Sequence, residues 1–281
     1  MSDPRYLVTG GTGFIGSGLT ARLQQRDGGD SVVAYGRKYD LRDPKSTERL
    51  FRDYGSFDVI FHCADSSGNA QWANDHCAEQ FFDNTKIHTN VLDAWKQWQP
   101  QARLVGFSSL WAYPNDVCVA HEEDYWRGRM HVPTEHYGLS KKVLGVGIEA
   151  LKRQFGLKGT ILVLGSVYGP GDASYHVIPS LLRRMVDNPN ELEVWGDGTE
   201  TRDFIFISDQ IEGILANYLY DGELLNVASG RVYSIREVVE VLAEFVGFKG
   251  RIKFDVEKSA GVAKRQIDVS IADALNGWPS Q

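Results

Sequence analysis

Short apolar runs recur along the first half of the chain, and segments with helical periodicity separate them. The runs predict strands at residues 6–8, 31–35, 59–61, 104–107 and 160–164. The intervening segments predict helices at residues 14–25, 44–54 and 137–155, and at the apolar positions Ile87, Val91, Ala94 and Trp98. Because strands that alternate with helices form right-handed βαβ units, we expect a mainly parallel sheet.

The pattern becomes less regular after Gly169. Short apolar runs predict strands at residues 192–194, 204–207, 224–227 and 252–254. Ser234 and Glu237 form a capping box ahead of an apolar-periodic run, so we expect a helix to begin there. We therefore predict a doubly wound α/β domain at residues 1–168, with a return segment at about 203–228, and a smaller C-terminal α/β lobe at residues 169–281.

Composition and charge narrow the classes of function. The 281 residues carry a net charge of −7, which argues against a nucleic-acid partner, because such proteins need a basic surface. Cys63, Cys77 and Cys118 show no C-x-x-C spacing, so neither a disulfide framework nor a metal site is expected. The chain enters a strand at once and contains no apolar stretch of membrane-spanning length, which predicts a soluble cytoplasmic protein with no membrane partner.

A glycine-rich segment, TGGTGFIG at residues 9–16, connects the first strand to the first helix. Glycines there permit a tight turn and let the backbone approach a pyrophosphate, whose charge the helix N-terminus favours. A strand-to-helix turn that binds no nucleotide is the alternative. We predict a dinucleotide-binding domain of the Rossmann type, with cofactor contacts from Gly10, Thr12, Gly13, Phe14, Ile15 and Gly16.

The end of the second strand predicts which dinucleotide binds. NAD-preferring folds usually place an acidic residue there, on the ribose 2′-hydroxyl, whereas this chain has Arg37 and Lys38. Two cations fit the 2′-phosphate of NADP, so NADP(H) is predicted and NAD(H) is less favoured; two solvated loop cations are the alternative. Asp40 and Leu41 follow and are candidates to contact the adenine.

Tyr137 and Lys141 are one helical turn apart, so their side chains share a face of the predicted helix. An ammonium beside a phenol lowers the tyrosine pKa and makes the phenol usable as a proton donor or acceptor. Ser108 and Ser109 follow the fourth strand, at the sheet edge where open α/β folds bind ligands. These residues and the glycine-rich turn together indicate a function far more specifically than any one of them alone.

These motifs give the chain a resemblance to the extended short-chain dehydrogenase/reductase family, whose members act on nucleotide sugars. The likeness covers TGGTGFIG, DLRD (40–43), HCAD (62–65), the serine turn, YGLSK (137–141), SVYGPGD (166–172) and WGDGTETRDFIF (195–206). It implies that Tyr137 is the catalytic acid/base and that Lys141 holds the nicotinamide ribose. It also implies that Ser109, four residues before Tyr113, assists at the reacting oxygen with Ser108 beside the substrate. Cofactor contacts at Cys63 and Ala64, and a homodimer, are implied as well.

Within this family the chain looks most like the GDP-L-fucose synthases, which epimerise and reduce a GDP-4-keto-6-deoxy sugar. The segments SYHVIPSLLRRM (174–185), VWGDGTETRDF (194–204) and FDVEKSAGVAKRQID (254–268) carry this likeness. It implies a substrate-binding lobe in which Arg184 and Arg202 hold the diphosphate by their guanidinium forks, with a solvated helix face as the alternative for Arg184. Further residues implied to contact the nucleotide sugar are Ser166, His176, Val177, Trp195 and Lys264.

One departure from these relatives changes the expected activity. Their epimerase step uses a histidine, which His176 matches, and a cysteine, whose place Trp111 takes. Because an indole N–H only donates, it cannot act as a base at carbon. We therefore predict an NADP(H)-dependent 4-reductase that meets its sugar at Trp111, without efficient epimerisation at C3 and C5. An epimerase-reductase, an NAD-retaining 4-epimerase and a dinucleotide-binding regulatory protein remain alternatives.

Overall fold

Parallel strands dominate the fold of the computed structural model, which describes residues 4–68, 70–172, 176–258 and 265–278. In chain order the strands are β1 (Tyr6–Thr9), β2 (Val32–Tyr35), β3 (Val59–His62), β4 (Arg103–Ser109), β5 (Val119–Ala120), β6 (Gly159–Leu164), β7 (Ser166–Tyr168), β8 (Glu191–Trp195), β9 (Thr201–Phe206), β10 (Leu224–Val227), β11 (Val232–Ser234), β12 (Arg251–Asp255) and β13 (Gln266–Ile267). The main sheet is parallel throughout and has the order β10-β6-β4-β3-β1-β2. Strand addition reverses direction between β1 and β3, which is the switch point where doubly wound sheets bind ligands.

Helices cover both faces of the main sheet, which confirms the predicted doubly wound α/β architecture. They are α1 (Phe14–Asp27), α2 (Pro44–Arg52), α3 (Ala70–Asp75), α4 (Cys77–Trp98), α5 (Glu135–Phe155), α6 (Val177–Asp187), α7 (Ile207–Asn217), α8 (Ile235–Val246) and α9 (Ser270–Asn276). One core packs α2, α4 and α5 against the sheet through residues such as Phe51, Trp95 and Ile148. The opposite core packs α1 and α7 through Leu19 and Ile214.

Helix α4 begins well before the apolar stretch that predicted it. Its first half is polar, yet Gln80 and Asn84 are buried, because both hydrogen-bond to the backbone of the loop after β3 rather than to water. A helix that satisfies polar side chains internally shows no apolar stripe over those turns. Trp95 is fully buried, but Trp98, at the end of the predicted stripe, is 39% exposed because the helix ends there.

A third and smaller core lies outside the main sheet and confirms the predicted C-terminal α/β lobe. It joins Leu181 and Met185 of α6 to Leu192 of the parallel β8–β12 pair and to Val239 of α8. Helix α8 starts at the predicted capping box, in which the Ser234 hydroxyl accepts from a backbone N–H three residues on. This lobe therefore has its own apolar packing beside the sheet.

The last described helix returns to the first domain. Ala272 of α9 and the following Trp278 are buried in the core on the α1 side of the sheet, where β10 forms the edge strand. Residues 270–278 thus pack with the sheet, although the sequence assigned everything after residue 168, apart from a return segment at 203–228, to the smaller lobe. None of the helices in the described ranges is long and apolar enough to cross a membrane.

Candidate active site

The glycine-rich turn between β1 and α1 lies against the loop that follows β3. Gly10 adopts a left-handed φ of 68°, and a Cβ added to it would lie 2.7 Å from the backbone nitrogen of Ala64. A Cβ on Gly16 would lie 2.2 Å from the carbonyl oxygen of Gly10. Helix α1 starts at Phe14 with Gly13 as N-cap and no described side-chain cap, so its first N–H groups are suited to an anion. The glycine-rich turn therefore meets Cys63 and Ala64 through Gly10 at the switch point.

Arg37 and Lys38 lie on the exposed turn after β2, where the sequence predicts the NADP phosphate to bind. The Lys38 ammonium is 4.9 Å from the ring centre of Tyr35, a cation–π contact that holds it beside the strand end. A Cβ on Gly36 would lie 1.9 Å from Oγ1 of Thr12, so glycine brings this turn against the glycine-rich turn. The two cations therefore stand next to the predicted pyrophosphate site.

Asp40 and Leu41, the candidates to contact the adenine, already have partners within the protein. The Asp40 carboxylate accepts from Nε and Nη2 of Arg42 at 2.9 Å each, and this guanidinium lowers the pKa of the carboxyl. The side chain of Leu41 is buried in the core between the sheet and α4. The side chain of Leu41 therefore has a packing role, and a contact of this residue with the cofactor stays a prediction.

Tyr137 and Lys141 lie side by side near the start of α5, as their spacing predicts. Lys141 Nζ is 5.4 Å from the ring centre of Tyr137. The Tyr137 hydroxyl donates to Oδ2 of Asp65 at 3.1 Å, and Lys141 Nζ is 2.5 Å from the same oxygen. Asp65 belongs to the loop after β3, so the three residues stand on the crevice that the glycine-rich turn borders. Asp65 lies within the HCAD segment, whose pattern predicted no role for it.

Neutral side chains surround the buried end of Lys141. His62 Nε2 and His88 Nδ1 are 3.0 Å apart. Burial, with the Lys141 charge as a further cause, lowers the pKa of His62 to about 3 and that of His88 well below its usual value. Burial also raises the pKa of Cys63 to about 12, although the ammonium opposes this change. Near neutral pH these groups are uncharged, and Asp65 is the ion-pair partner that the described residues give Lys141.

The two serines at the end of β4 have different surroundings. Ser108 is buried, and its hydroxyl is 2.6 Å from the equally buried hydroxyl of Tyr125, so it is tied into the core rather than turned to a substrate as predicted. Ser109 is half-buried, and the contact that the described residues give its Oγ is a long hydrogen bond, 3.4 Å, accepted from the backbone N–H of Trp111. The geometry therefore favours Ser109 as the hydroxyl that meets a ligand.

The serine turn packs against α5 directly beside Tyr137. A Cβ on Gly138 would lie 2.5 Å from the carbonyl oxygen of Trp111, so this approach requires glycine after the tyrosine. The half-buried ring of Trp111 lies 6.0 Å from the ring of His131 and 5.9 Å from the guanidinium of Arg265. Trp111 therefore stands between the tyrosine helix and a group of cationic side chains.

Arg202 and Arg265 form this group, which we call the arginine cluster. Arg265 is 2% exposed; its Nη1 donates to the carbonyl of Leu110 at 2.8 Å, whereas Nε and Nη2 have no hydrogen-bond partner among the described residues. Burial and then the charge of Arg202 lower the pKa of Arg265 to about 10. Burial also lowers the pKa of Arg202, which Glu200 opposes. Paired guanidinium groups of this kind suit a multiply charged anion such as a diphosphate.

The sequence predicted Arg202 as a contact of the diphosphate, but it predicted Lys264 rather than its neighbour Arg265 as the second cation. Lys264, the predicted contact, lies outside the described residues. Arg265 reaches the serine turn because β13, which begins one residue later, pairs with β5. The segment FDVEKSAGVAKRQID contains the missed signal, because Arg265 is a second cation directly after Lys264 and three residues before Asp268.

Other predicted substrate residues lie in or next to the smaller lobe. Arg184 of α6 and Trp195 of β8 line one cleft of about 530 Å³, and Lys258 joins them with its ammonium 5.7 Å from the indole ring centre. Val177 is exposed at the start of α6, and Ser166 is half-buried at the start of β7, which pairs with β9. Arg184 therefore shares a cleft with Trp195, whereas Arg202 belongs to the arginine cluster.

His176 is the N-cap residue of α6 and is oriented by a buried carboxylate. Its Nδ1 hydrogen-bonds Oδ1 of Asp172, whose side chain is 1% exposed and whose Oδ2 has no partner among the described residues. A carboxylate on one ring nitrogen fixes the orientation of the imidazole. Within the described ranges, no group of three or more His, Cys, Asp or Glu side chains has the arrangement of a metal site.

Similar proteins of named activity cover almost the whole chain. The dTDP-4-dehydro-6-deoxy-D-allose reductase of Streptomyces bikiniensis is 31% identical over a gapped alignment of 291 positions, which covers 94% of this chain and 88% of that enzyme. The GDP-L-fucose synthase of Escherichia coli (strain K12) is 27% identical over a gapped alignment of 299 positions, which covers 99% of this chain and 92% of that enzyme. The chain is thus similar over nearly its full length to nucleotide-sugar reductases.

A solved structure and a family model agree with this result. The GDP-mannoheptose C4 reductase of Campylobacter jejuni, solved with NADP bound, superposes with a TM-score of 0.88 at 23% identity, over 100% of this chain and 94% of that one. At that identity the likeness establishes the fold. The model of the NAD dependent epimerase/dehydratase family matches residues 6–228. This match and the Streptomyces relative confirm the predicted resemblance, and the chain belongs to the NAD dependent epimerase/dehydratase family.

Proposed function

We propose that the protein is an NADP(H)-dependent reductase that acts at C4 of a nucleotide-linked 4-keto-6-deoxy sugar, with GDP as the first nucleotide to test. One observation carries the proposal: Tyr137 and Lys141 meet at the switch-point crevice, next to a glycine-rich turn whose close approaches leave the backbone open to a pyrophosphate. The reductase names of the relatives support the reaction, and the NADP in the Campylobacter structure supports the cofactor.

Each residue of the site has a role in this reaction. NADPH supplies the hydride when bound. Tyr137 donates the proton to the oxygen that becomes the alkoxide, and Lys141 holds the nicotinamide ribose in place. Ser109 donates a hydrogen bond to the same oxygen and stabilises its developing charge. Arg37 and Lys38 would hold the 2′-phosphate of the cofactor, while Arg202 and Arg265 would hold the diphosphate of the substrate.

Epimerisation at C3 and C5 is not part of the proposed activity. It needs side chains that remove and return a proton at carbon, and Trp111 presents only an N–H donor where a thiol would be required. His176, oriented by Asp172, is the remaining candidate base. Turnover of the keto sugar with NADPH in deuterated water should therefore give a product without deuterium at C3 and C5. Label at both carbons would contradict the role given to Trp111.

NADPH oxidation with GDP-, CDP-, UDP- and dTDP-linked 4-keto-6-deoxy sugars tests the proposal directly. We expect turnover with at least one of them and an activity loss of about a hundredfold to ten-thousandfold in Tyr137→Phe, because that change removes the general acid alone. NADPH binding should be retained in the variant. Tightly bound NAD in the purified protein, without turnover of any keto sugar, would instead favour a 4-epimerase.

The domain roles and the oligomeric state belong to the same proposal. Residues 1–168 with the return segment would bind the cofactor, and the lobe from residue 169 would bind the substrate. A homodimer would form through α4 and α5, whose outer faces expose Phe82 and Val146. Exposed aromatic and aliphatic side chains on two neighbouring helices are the kind of patch that a partner subunit covers.

A further inference from the structure

Asp65 occupies a rigid position beside the proton-transfer pair. The backbone N–H of the next residue, Ser66, donates to Oδ1 of Asn84 at 2.7 Å, and its carbonyl accepts from Gln80 and Asn84 at 3.0 Å each. Gln80 also hydrogen-bonds the ring of His136, one residue before the catalytic tyrosine, at 2.8 Å. The same buried side chains of α4 therefore fix the loop that carries Asp65 and the start of α5.

One carboxylate oxygen of Asp65 contacts both Tyr137 and Lys141. Its Oδ2 accepts from the Tyr137 hydroxyl at 3.1 Å and pairs with the Lys141 ammonium at 2.5 Å. The ammonium favours the phenolate form of the tyrosine, whereas a carboxylate that accepts the phenolic hydrogen favours the protonated form. A carboxylate this close to the ammonium also cancels much of its field at the phenol.

We propose that Asp65 is a positioning residue that keeps Tyr137 protonated, the form that a reductase needs, by neutralising Lys141 and accepting the phenolic hydrogen bond. The choice of reduction as the favoured direction rests on the proposed function. The hydrogen bond and the ion pair do not depend on it, since they are properties of the protein without substrate.

Other titratable groups around the pair keep one charge state near neutral pH. His62 at the end of β3 and His88 of α4 are held neutral by burial, which lowers their pKa values, and Cys63 keeps its proton because burial raises its pKa. Burial also lowers the pKa of His136. On α5, Glu135 is paired with Arg129 at 2.8 Å, and that guanidinium lowers the pKa of its carboxyl. Among the described contacts of this pair, Asp65 and Lys141 carry the charges that act on the phenol near neutral pH.

Asp65→Asn tests the proposal because it removes the charge and preserves the shape. We expect Tyr137 to lose its proton at a lower pH, by about one pH unit or more, since the ammonium then acts without its counter-ion. The tyrosinate absorbance of the variant, minus that of the same variant carrying Tyr137→Phe, isolates this titration without substrate. The alkaline limb of the pH profile for reduction should move to lower pH by the same amount. Asp65→Ala should move both in the same direction.

Asp93→Asn is the matched control, because it removes a carboxylate from the exposed face of α4, where Asp93 pairs with Lys96. This variant should leave the tyrosine titration in place. A folded Asp65→Asn protein whose Tyr137 titrates as in the wild type would overturn the proposal, even if its turnover fell. If the wild type reduces none of the keto sugars, the proposed function fails, while the absorbance titration still decides the role of Asp65.

Discussion

The site formed by Asp65, Tyr137 and Lys141, which we call the strand-end site, and the arginine cluster both bury positive charge, but they balance it differently. At the strand-end site, Lys141 is paired with Asp65 at 2.5 Å within the protein. In the arginine cluster, Arg265 is 2% exposed and hydrogen-bonds carbonyl oxygens, while Nε and Nη2 have no partner in the described part of the chain. The described residues thus give Lys141 a counter-ion, whereas they leave two nitrogens of Arg265 without a hydrogen-bond partner.

The energetic consequence follows from the cost of burying an ion. Moving a charged group out of water costs several kcal/mol even after relaxation, and a paired counter-ion offsets this cost. Hydrogen bonds from Nη1 of Arg265 to carbonyl oxygens and the attraction of Asp116 offset part of this cost, while Nε and Nη2 have no partner among the described residues. We therefore expect an anionic ligand to stabilise the arginine cluster more than the strand-end site.

Ser108 and Ser109 lie at the boundary between these two regions. Alanine substitutions at these two serines should differ most in their effects on turnover and stability. Ser109→Ala should lower the rate of reduction by about a hundredfold to a thousandfold, because it removes a donor to the developing alkoxide. Its effect on stability should be small, since within the described ranges the Ser109 hydroxyl makes a single long bond, 3.4 Å, to a backbone N–H. Steady-state kinetics and urea unfolding measure the two effects.

Ser108→Ala serves as the paired control and should show the reverse. It leaves the buried hydroxyl of Tyr125 without its 2.6 Å partner, which costs about 1–3 kcal/mol of stability and leaves turnover nearly unchanged. If instead Ser108→Ala abolished turnover and Ser109→Ala did not, the assignment of the catalytic hydroxyl would be reversed.

Local sequence spacing predicted the strand-end site far better than the arginine cluster. Tyr137 and Lys141 lie on one helical turn, and the glycine-rich turn lies within eight consecutive residues, so both depend on short-range geometry. Arg265 reaches Leu110 only through the pairing of β13 with β5, two segments that are far apart along the chain. Periodicity within a window of residues carries no information about such a pairing.

Asp65 was missed for a related reason. Its role depends on the hydrogen bonds by which Gln80 and Asn84 hold the backbone of Ser66, and these side chains lie in the polar half of α4 that the apolar pattern did not reveal. Leu41 shows a second limit, because its position in a motif suggested a cofactor contact, whereas the structure shows that its side chain packs in the core. A residue's place in a motif predicts its neighbourhood but not the direction of its side chain.

Arg265→Gln tests whether the arginine cluster binds the nucleotide sugar. We expect kcat/KM for the nucleotide sugar to fall by about tenfold to a hundredfold, because a charge-assisted hydrogen bond to a phosphate is worth about 1.5–3 kcal/mol. The stability of the ligand-free protein should change little, since removing a partly unpaired buried charge also removes its desolvation cost. Added GDP should raise the Tm of the wild type more than that of the variant.

Arg153→Gln is the matched control, because this arginine is exposed on α5. It should leave both kcat/KM and the stabilisation by GDP unchanged. A large loss of stability in ligand-free Arg265→Gln would mean that the guanidinium is a structural element rather than a ligand contact.

The last prediction concerns the pH dependence of stability that the neutral histidines beside Lys141 cause. It tests whether the strand-end site excludes a second cation. Burial, aided by the Lys141 charge, lowers the pKa of His62 to about 3, against an ordinary value near 6.5 in the unfolded chain. The unfolded state therefore binds a proton that the folded state refuses, so stability is present above pH 6.5 and is lost as pH falls from there toward 3. The loss should approach about 1.4 kcal/mol per pH unit for each such histidine.

His62→Asn should therefore reduce the slope of unfolding free energy against pH, measured by urea unfolding between pH 7 and 5, whatever it does to stability at pH 7. An unchanged slope would mean that His62 charges within the fold, and the strand-end site would then tolerate two cations as the arginine cluster does. The expected result would instead confirm the physical distinction between the two regions. Beside Lys141, which is paired with Asp65, the fold keeps His62 neutral, whereas Arg265 is buried with two nitrogens that have no hydrogen-bond partner among the described residues.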